Sequence, residues 1–184
     1  VQNIVYDLLV NFCGIDGGYI DLINWNAEQT AYLTRLYSAL ITAPTGVSKL
    51  LTELCEQVGI LLFWDEVNEK LILKSVRPNS LSETVTDLTA DYHLLADSLK
   101  LKDLNDERVN ETWIYYGLID FTKNLEEEAN YKLLYVAANV SDQSTNKNRD
   151  IRIKKIFSRW IIETAKSAAR ELANKYLERF AVAP

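Results

Sequence analysis

The chain has 184 residues, 48% of them apolar, with 20 basic against 26 acidic side chains and a net charge of −6. That size and composition fit one domain with a real core and exclude a disordered chain. The acidic balance argues against a broad phosphate-binding surface, and no apolar run approaches the ~20 residues that a membrane span needs.

The first residues carry no basic region and no signal-peptide core, and the sequence contains no methionine. It is therefore expected to be one domain of a longer chain, with 1–78 and 92–184 as possible subdomains. From Gln2 to Cys13, the residues Ile4, Val5, Leu8, Leu9, Phe12 and Cys13 share one side, which predicts an amphipathic helix. Gly14, Gly17 and Gly18 end it; their spacing lacks the lysine and preceding strand of a phosphate loop. Asn24–Leu33 reads as a short helix with Trp25, Ala31 and Tyr32 as its bulk. Arg35–Thr42 reads as a strand stopped by Pro44.

Thr45–Pro78 gives the clearest pattern. Val47, Leu50, Leu51, Leu54 and Val58 have the spacing of a helix with one buried face, with Thr45 as cap and Gly59 as left-handed terminator. Two β-prone runs come next as a hairpin. In the first, Leu61 and Phe63 share one face and Ile60, Leu62 and Trp64 the other, so cover on both sides is expected, with Leu50, Leu54, Leu61 and Phe63 in the core. The return strand sets Leu71 and Leu73 against Ile72 and Val76, with Lys74 marking a half-exposed edge.

From Asn79 to Asp91 the composition turns polar, which predicts a crossing segment. Beyond it the period becomes two. Leu99 and Leu101 alternate with Lys100 and Lys102; Val109, Trp113 and Tyr115 with Thr112, Ile114 and Tyr116; Tyr131, Leu133 and Tyr135 with Leu134 and Val136. With a run from Ile153, these predict about four antiparallel strands linked at 104–107, 118–129 and 141–150. A phase slip before Ile156, Ser158 and Trp160 suggests a bulge or a late strand start. Ala165, Ala168, Ala169, Leu172, Ala173, Tyr176, Leu177 and Phe180 then form the stripe of a closing helix, with Thr164 as its cap. The expected fold is α+β: a helix–hairpin unit and a mostly antiparallel sheet, flanked by N- and C-terminal helices.

Chemistry is thinly marked. His93 is the one histidine, and no Gly-x-Ser-x-Gly accompanies it. Cys13, Cys55 and His93 lack zinc-ligand spacing, and the two cysteines read as buried free thiols. Candidate carboxylate pairs are Asp65 with Glu66, Asp103 with Asp106 and Glu107, and Glu126 to Glu128, all in predicted turns where acids are solvated. No catalytic, metal or cofactor-binding residue is assigned, and the chain is not expected to be an enzyme. The basic run Arg149, Arg152, Lys154 and Lys155 reads as a solvated strand face, with no nucleic-acid partner expected. Trp113, Tyr115, Tyr116, Tyr131, Tyr135 and Trp160 put aromatics on both sheet faces. One such face is a candidate contact surface for another subunit.

The order of the soft motifs carries a resemblance. The helix to Val58, Gly59, then Leu62-Phe63-Trp64-Asp65-Glu66, Lys70-Leu71-Ile72-Leu73 and Val76-Arg77-Pro78 resemble the tail proteins of tailed bacteriophages. Asp106-Glu107-Arg108-Val109, Asp120-Phe121-Thr122-Lys123 and Ser158-Arg159-Trp160 extend the likeness over nearly the whole chain. More loosely, it is similar to the hub proteins of contractile tails and type VI secretion spikes. The resemblance implies a virion structural protein of the tail tip or baseplate hub, made in the host cytoplasm and working in assembly and host attachment. Its implied partners are other tail proteins, with a homo-oligomer, commonly a trimer, in the full-length protein. The competing expectations are a carbohydrate-active tail domain and a hub-like module of a secretion apparatus.

Overall fold

The computed structural model describes residues 1–76, 108–140 and 151–180. Over these the chain is α+β, with four helices, a two-stranded hairpin and a three-stranded sheet. The expected strand at 99–102, the crossing segment 79–91 and the links 104–107 and 141–150 lie outside the described residues.

Helix α1 (Gln2–Asp7) passes into a π-helical turn, Leu8–Phe12, where the Cys13 N–H bonds back five residues to the Leu8 carbonyl at 3.1 Å. A π turn holds more residues per revolution than an α turn, so side chains beyond it swing to a different side of the axis. Val5, Leu8 and Leu9 stay buried, whereas Phe12 and Cys13, expected on the apolar side, turn outward. Helix α2 (Leu22–Tyr32) is capped by Asp21, whose Oδ1 accepts from the Asn24 N–H at 3.1 Å. It buries Trp25 but leaves Ala31 and Tyr32 exposed, contrary to their expected role as bulk.

Arg35–Thr42 is extended but is not the expected strand. Its alternation is real, since Tyr37 and Ala39 turn inward while Leu36 and Leu40 face out. A strand needs a row of cross-chain bonds, and here Ser38 N–H to the Trp160 carbonyl, 3.0 Å, is the one main-chain bond to a distant described residue.

Helix α3 (Val47–Val58) buries Leu50, Leu54, Gln57 and Val58. Thr45 does not cap it: its hydroxyl donates to the Ala43 carbonyl at 3.0 Å, and Gly46 stands at the cap position with no side-chain bond. The other end is as expected. Gly59 takes φ 74°, a left-handed conformation open to glycine at little cost, and returns its N–H to the Cys55 carbonyl.

Strands β1 (Ile60–Asp65) and β2 (Lys70–Ser75) pair antiparallel, Ile60 opposite Ser75 and Asp65 opposite Lys70. Ile60 and Leu73 are buried on the inner face with Leu50, Leu54 and Trp25. Leu61 and Phe63, expected in the core, are 56% and 47% exposed on the outer face. A hairpin with a single layer behind it covers one face, and expected cover on the second is missing among the described residues. The outer edge of β2 is closed by α2. The Trp25 indole donates to the Leu71 carbonyl at 2.9 Å, and the buried Glu28 carboxylate accepts from the Ser75 N–H and hydroxyl, both at 2.8 Å.

In the second sheet β3 (Glu111–Leu118) is central. β4 (Tyr131–Ala138) pairs with it antiparallel and β5 (Ile153–Phe157) parallel, so the expectation of antiparallel strands throughout is corrected at β5. β4 ends and β5 begins beside Glu111, on opposite edges of β3. Asn110 holds both: its carbonyl accepts from Asn139 N–H and its Oδ1 from Arg152 N–H. The pairing of β5 runs unbroken from Ile153 to Phe157, through Ile156, so the expected bulge or late strand start is corrected: the strand keeps one phase, and Ser158 and Trp160 lie beyond its end. Helix α4 (Lys166–Phe180) lays Ala168, Ala169, Leu172 and Ala173 on Ile114 and Tyr116.

The two sheets are joined by named contacts. Ser158 Oγ donates to Gln57 Oε1 at 2.6 Å, Arg159 pairs with Glu53 at 3.0 Å, and Lys175 Nζ donates to the Val58 carbonyl at 2.9 Å. Trp160, expected on the sheet, instead enters the core beneath α3.

Candidate functional site

Alternate residues of β3 point to opposite faces of its sheet. Thr112, Ile114 and Tyr116 lie under α4, where the Thr112 hydroxyl donates to the Ala173 carbonyl at 3.2 Å. The other face holds Trp113 and Tyr115. By register it also holds Lys155 and Phe157 of β5 and Leu134 and Val136 of β4.

At one end this face is closed by its own aromatics. Tyr115 stacks on Phe157 with centroids 4.8 Å apart and planes 17° apart, and Tyr131 tilts against both. The Tyr131 hydroxyl donates to the Leu125 carbonyl at 2.7 Å, and burial pushes its pKa up to about 12. Along β4 and toward the start of β5 the face is open. Leu134, Val136 and Ile153 are 44%, 46% and 43% exposed.

Polar groups edge the apolar strip. Lys155 Nζ lies 5.2 Å from the centroid of the Trp113 ring and 2.6 Å from Glu128 Oε1. That bond, then one from Tyr115, holds Glu128 below the usual carboxylate range; the same Glu128 contact raises Lys155. Burial, then Glu128, raises Tyr115. The Trp113 indole donates to Glu111 Oε1 at 2.6 Å. An apolar centre with a paired, charged rim has the anatomy of a protein contact surface.

The remaining sequence candidates fall elsewhere. His93, Asp103, Asp106, Glu107 and Arg149 lie outside the described residues. Asp65 organises the hairpin turn, accepting from the Val67 and Asn68 N–H groups and the Asn68 amide, and the last of these contributes most to holding it low. Glu66, Glu126 and Glu127 are exposed. Both cysteines are free, but Cys13 is exposed and Cys55 half-buried, so the expectation of two buried thiols is corrected. Burial, then Glu56, pushes the Cys55 thiol up. Lys154 and Lys155 take opposite faces of β5, which divides the basic run. Among the described residues no three His, Cys, Asp or Glu side chains gather as metal ligands would, and no helix is long and apolar enough to cross a membrane.

Two participants escaped the sequence. Phe157 was out of phase with the period assigned to its strand. The Glu128–Lys155 pair joins an acid and a base, each noted singly, that only the fold brings together.

No protein-family model matches this chain, and no curated protein matches it. Residues and geometry therefore define its class, an α+β domain whose second sheet leaves an apolar strip exposed among the described residues.

Proposed function

We propose that this chain is a structural building block of a phage tail, of the tail-tip or baseplate-hub kind, that works through protein contacts and performs no catalysis. The observation that carries the proposal is the open strip Leu134, Val136 and Ile153 beside the Trp113–Lys155–Glu128 cluster. Exposed apolar residues side by side on a sheet, rimmed by charge, favour burial against a neighbouring subunit. The motif order that resembles tail proteins supplies the kind of neighbour: other tail proteins and further copies in the full-length protein. A sugar-stacking surface is the weaker alternative, because Lys155 already lies over the Trp113 ring.

The test is co-expression with the tail proteins encoded beside it, read by light scattering. A defined complex that Val136→Lys abolishes, with the melting temperature preserved, supports the proposal. A full-length protein that stays monomeric at high concentration and forms no such complex overturns it, as does hydrolysis of cell-wall or surface polysaccharide.

A further inference from the structure

Among the described residues the hairpin leaves one strand edge without a partner. The Val76 N–H donates to the Gly59 carbonyl at 2.8 Å, which sets the phase of the β1–β2 ladder. In an antiparallel pair the bonding direction alternates residue by residue, so Ile60, Leu62 and Trp64 aim their N–H and C=O groups away from β2. β2 has α2 along its outer edge, but no described residue pairs with these three on β1. Unpaired groups in a row are a template for an added strand.

A groove of about 1130 Å³ opens beside them. Ile60, Leu61 and Leu62 line it in succession, as happens where a cavity borders the edge of a strand and not one face. Leu51 and Cys55, one helical turn apart on α3, supply an apolar wall. The charge of the lining is one-sided. Glu56 and Glu178 are exposed there and make no ion pair among the described residues, whereas Lys175 is already held by Glu171 at 3.1 Å and by the Val58 carbonyl.

We infer that this groove accepts an extended segment of another protein, added as a third strand on β1 and carrying a lysine or arginine toward Glu56 and Glu178. The three free residues of β1 provide the main-chain bonds, the groove takes alternate apolar side chains, and the two carboxylates favour a basic segment. The site lies on the other sheet from the aromatic strip, and neither requires the other.

The test titrates the 184-residue chain with a blocked peptide of about nine residues, valine alternating with threonine and a lysine at each end, long enough to span β1. Hydrogen exchange is expected to slow at least tenfold at the Ile60, Leu62 and Trp64 amides, with little change at Leu61 and Phe63. Glu56→Lys combined with Glu178→Lys is expected to weaken binding roughly tenfold, since both are surface positions that leave the fold intact. A peptide methylated on its bonding amides should not bind at all. Equal binding by a peptide with glutamate at its ends, or no binding at millimolar concentration, overturns the inference. Slowed β1 amides without peptide also overturn it, giving the edge to a second copy if the chain is dimeric and to a segment of the same chain if it is monomeric.

Discussion

Two buried clusters solve the same problem with different side chains. Around α3 the core is made of bulk, Trp25, Leu54, Leu73 and Trp160, delivered by separate segments of the chain. Under α4 it is made largely of alanine: Ala168, Ala169 and Ala173 with Leu172, set against Ile114 and Tyr116 of β3. Small side chains let a helix lie close to a sheet, whereas large ones fill the gaps between irregular segments. The first cluster is thus assembled from several segments and includes Trp160, which follows β5. The second is drawn chiefly from two regular elements, β3 and α4. Dependence on bulky side chains from many segments should make the first cluster the more sensitive to loss of one of them.

The strongest way to break that contrast is Trp160→Ala, expected to cost about 3–5 kcal/mol in urea unfolding. Trp160→Phe should cost much less, because the buried indole N–H has no hydrogen-bond partner among the described residues. Leu54→Ala, fully buried in the same cluster, should cost about 2–5 kcal/mol, and a loss well under 1 would show that the helix faces solvent. Ala169→Leu tests the other cluster from the opposite direction. Because Ala169 is fully buried in that cluster, the larger side chain should destabilise by about 1–3 kcal/mol, and a neutral result would mean that the alanine stripe is loosely packed.

The joint between the clusters comes next. Ser158→Ala removes the donor to Gln57 Oε1 and the acceptor of the Ile161 N–H, at an expected cost of about 1–3 kcal/mol. The smallest effect belongs to the exposed pair Glu128–Lys155. The folded pKa of Glu128 lies below its unfolded value, so its stabilisation is present above the usual carboxylate range and is lost as the pH falls through the lowered value. Lys155 has the opposite sign: its contribution is present below the usual lysine range and fades as the pH rises past the raised value. Glu128→Gln should flatten the acid side of the stability profile by a small, measurable amount. An unchanged profile would show the pair to be energetically idle.

The sequence was most legible where a pattern is local. The α3 stripe, the Gly59 terminator, the hairpin and the α4 stripe each arise from spacing within a dozen or so residues, and all four are present. Legibility failed where the answer lies in a distant partner. Among the described residues Arg35–Thr42 alternates like a strand but finds no ladder, and Leu61 and Phe63 are apolar without a second layer to cover them. The parallel entry of β5 is equally silent in the residues, because alternation is the same in either direction. The aromatic strip was half legible: Trp113 and Tyr115 were on the expected strand, but the Glu128 that orders Lys155 comes from a turn 27 residues away.

The position of Trp160 also has a consequence for how the chain is made. Synthesis delivers α1, α2, α3 and the hairpin long before the indole that completes their core. Until then those elements hold an unfilled apolar cleft, the kind of surface that chaperones and sticky neighbours find first. A chain stopped short of Trp160 would accordingly be expected to aggregate, even though most of the residues in its first core are already present.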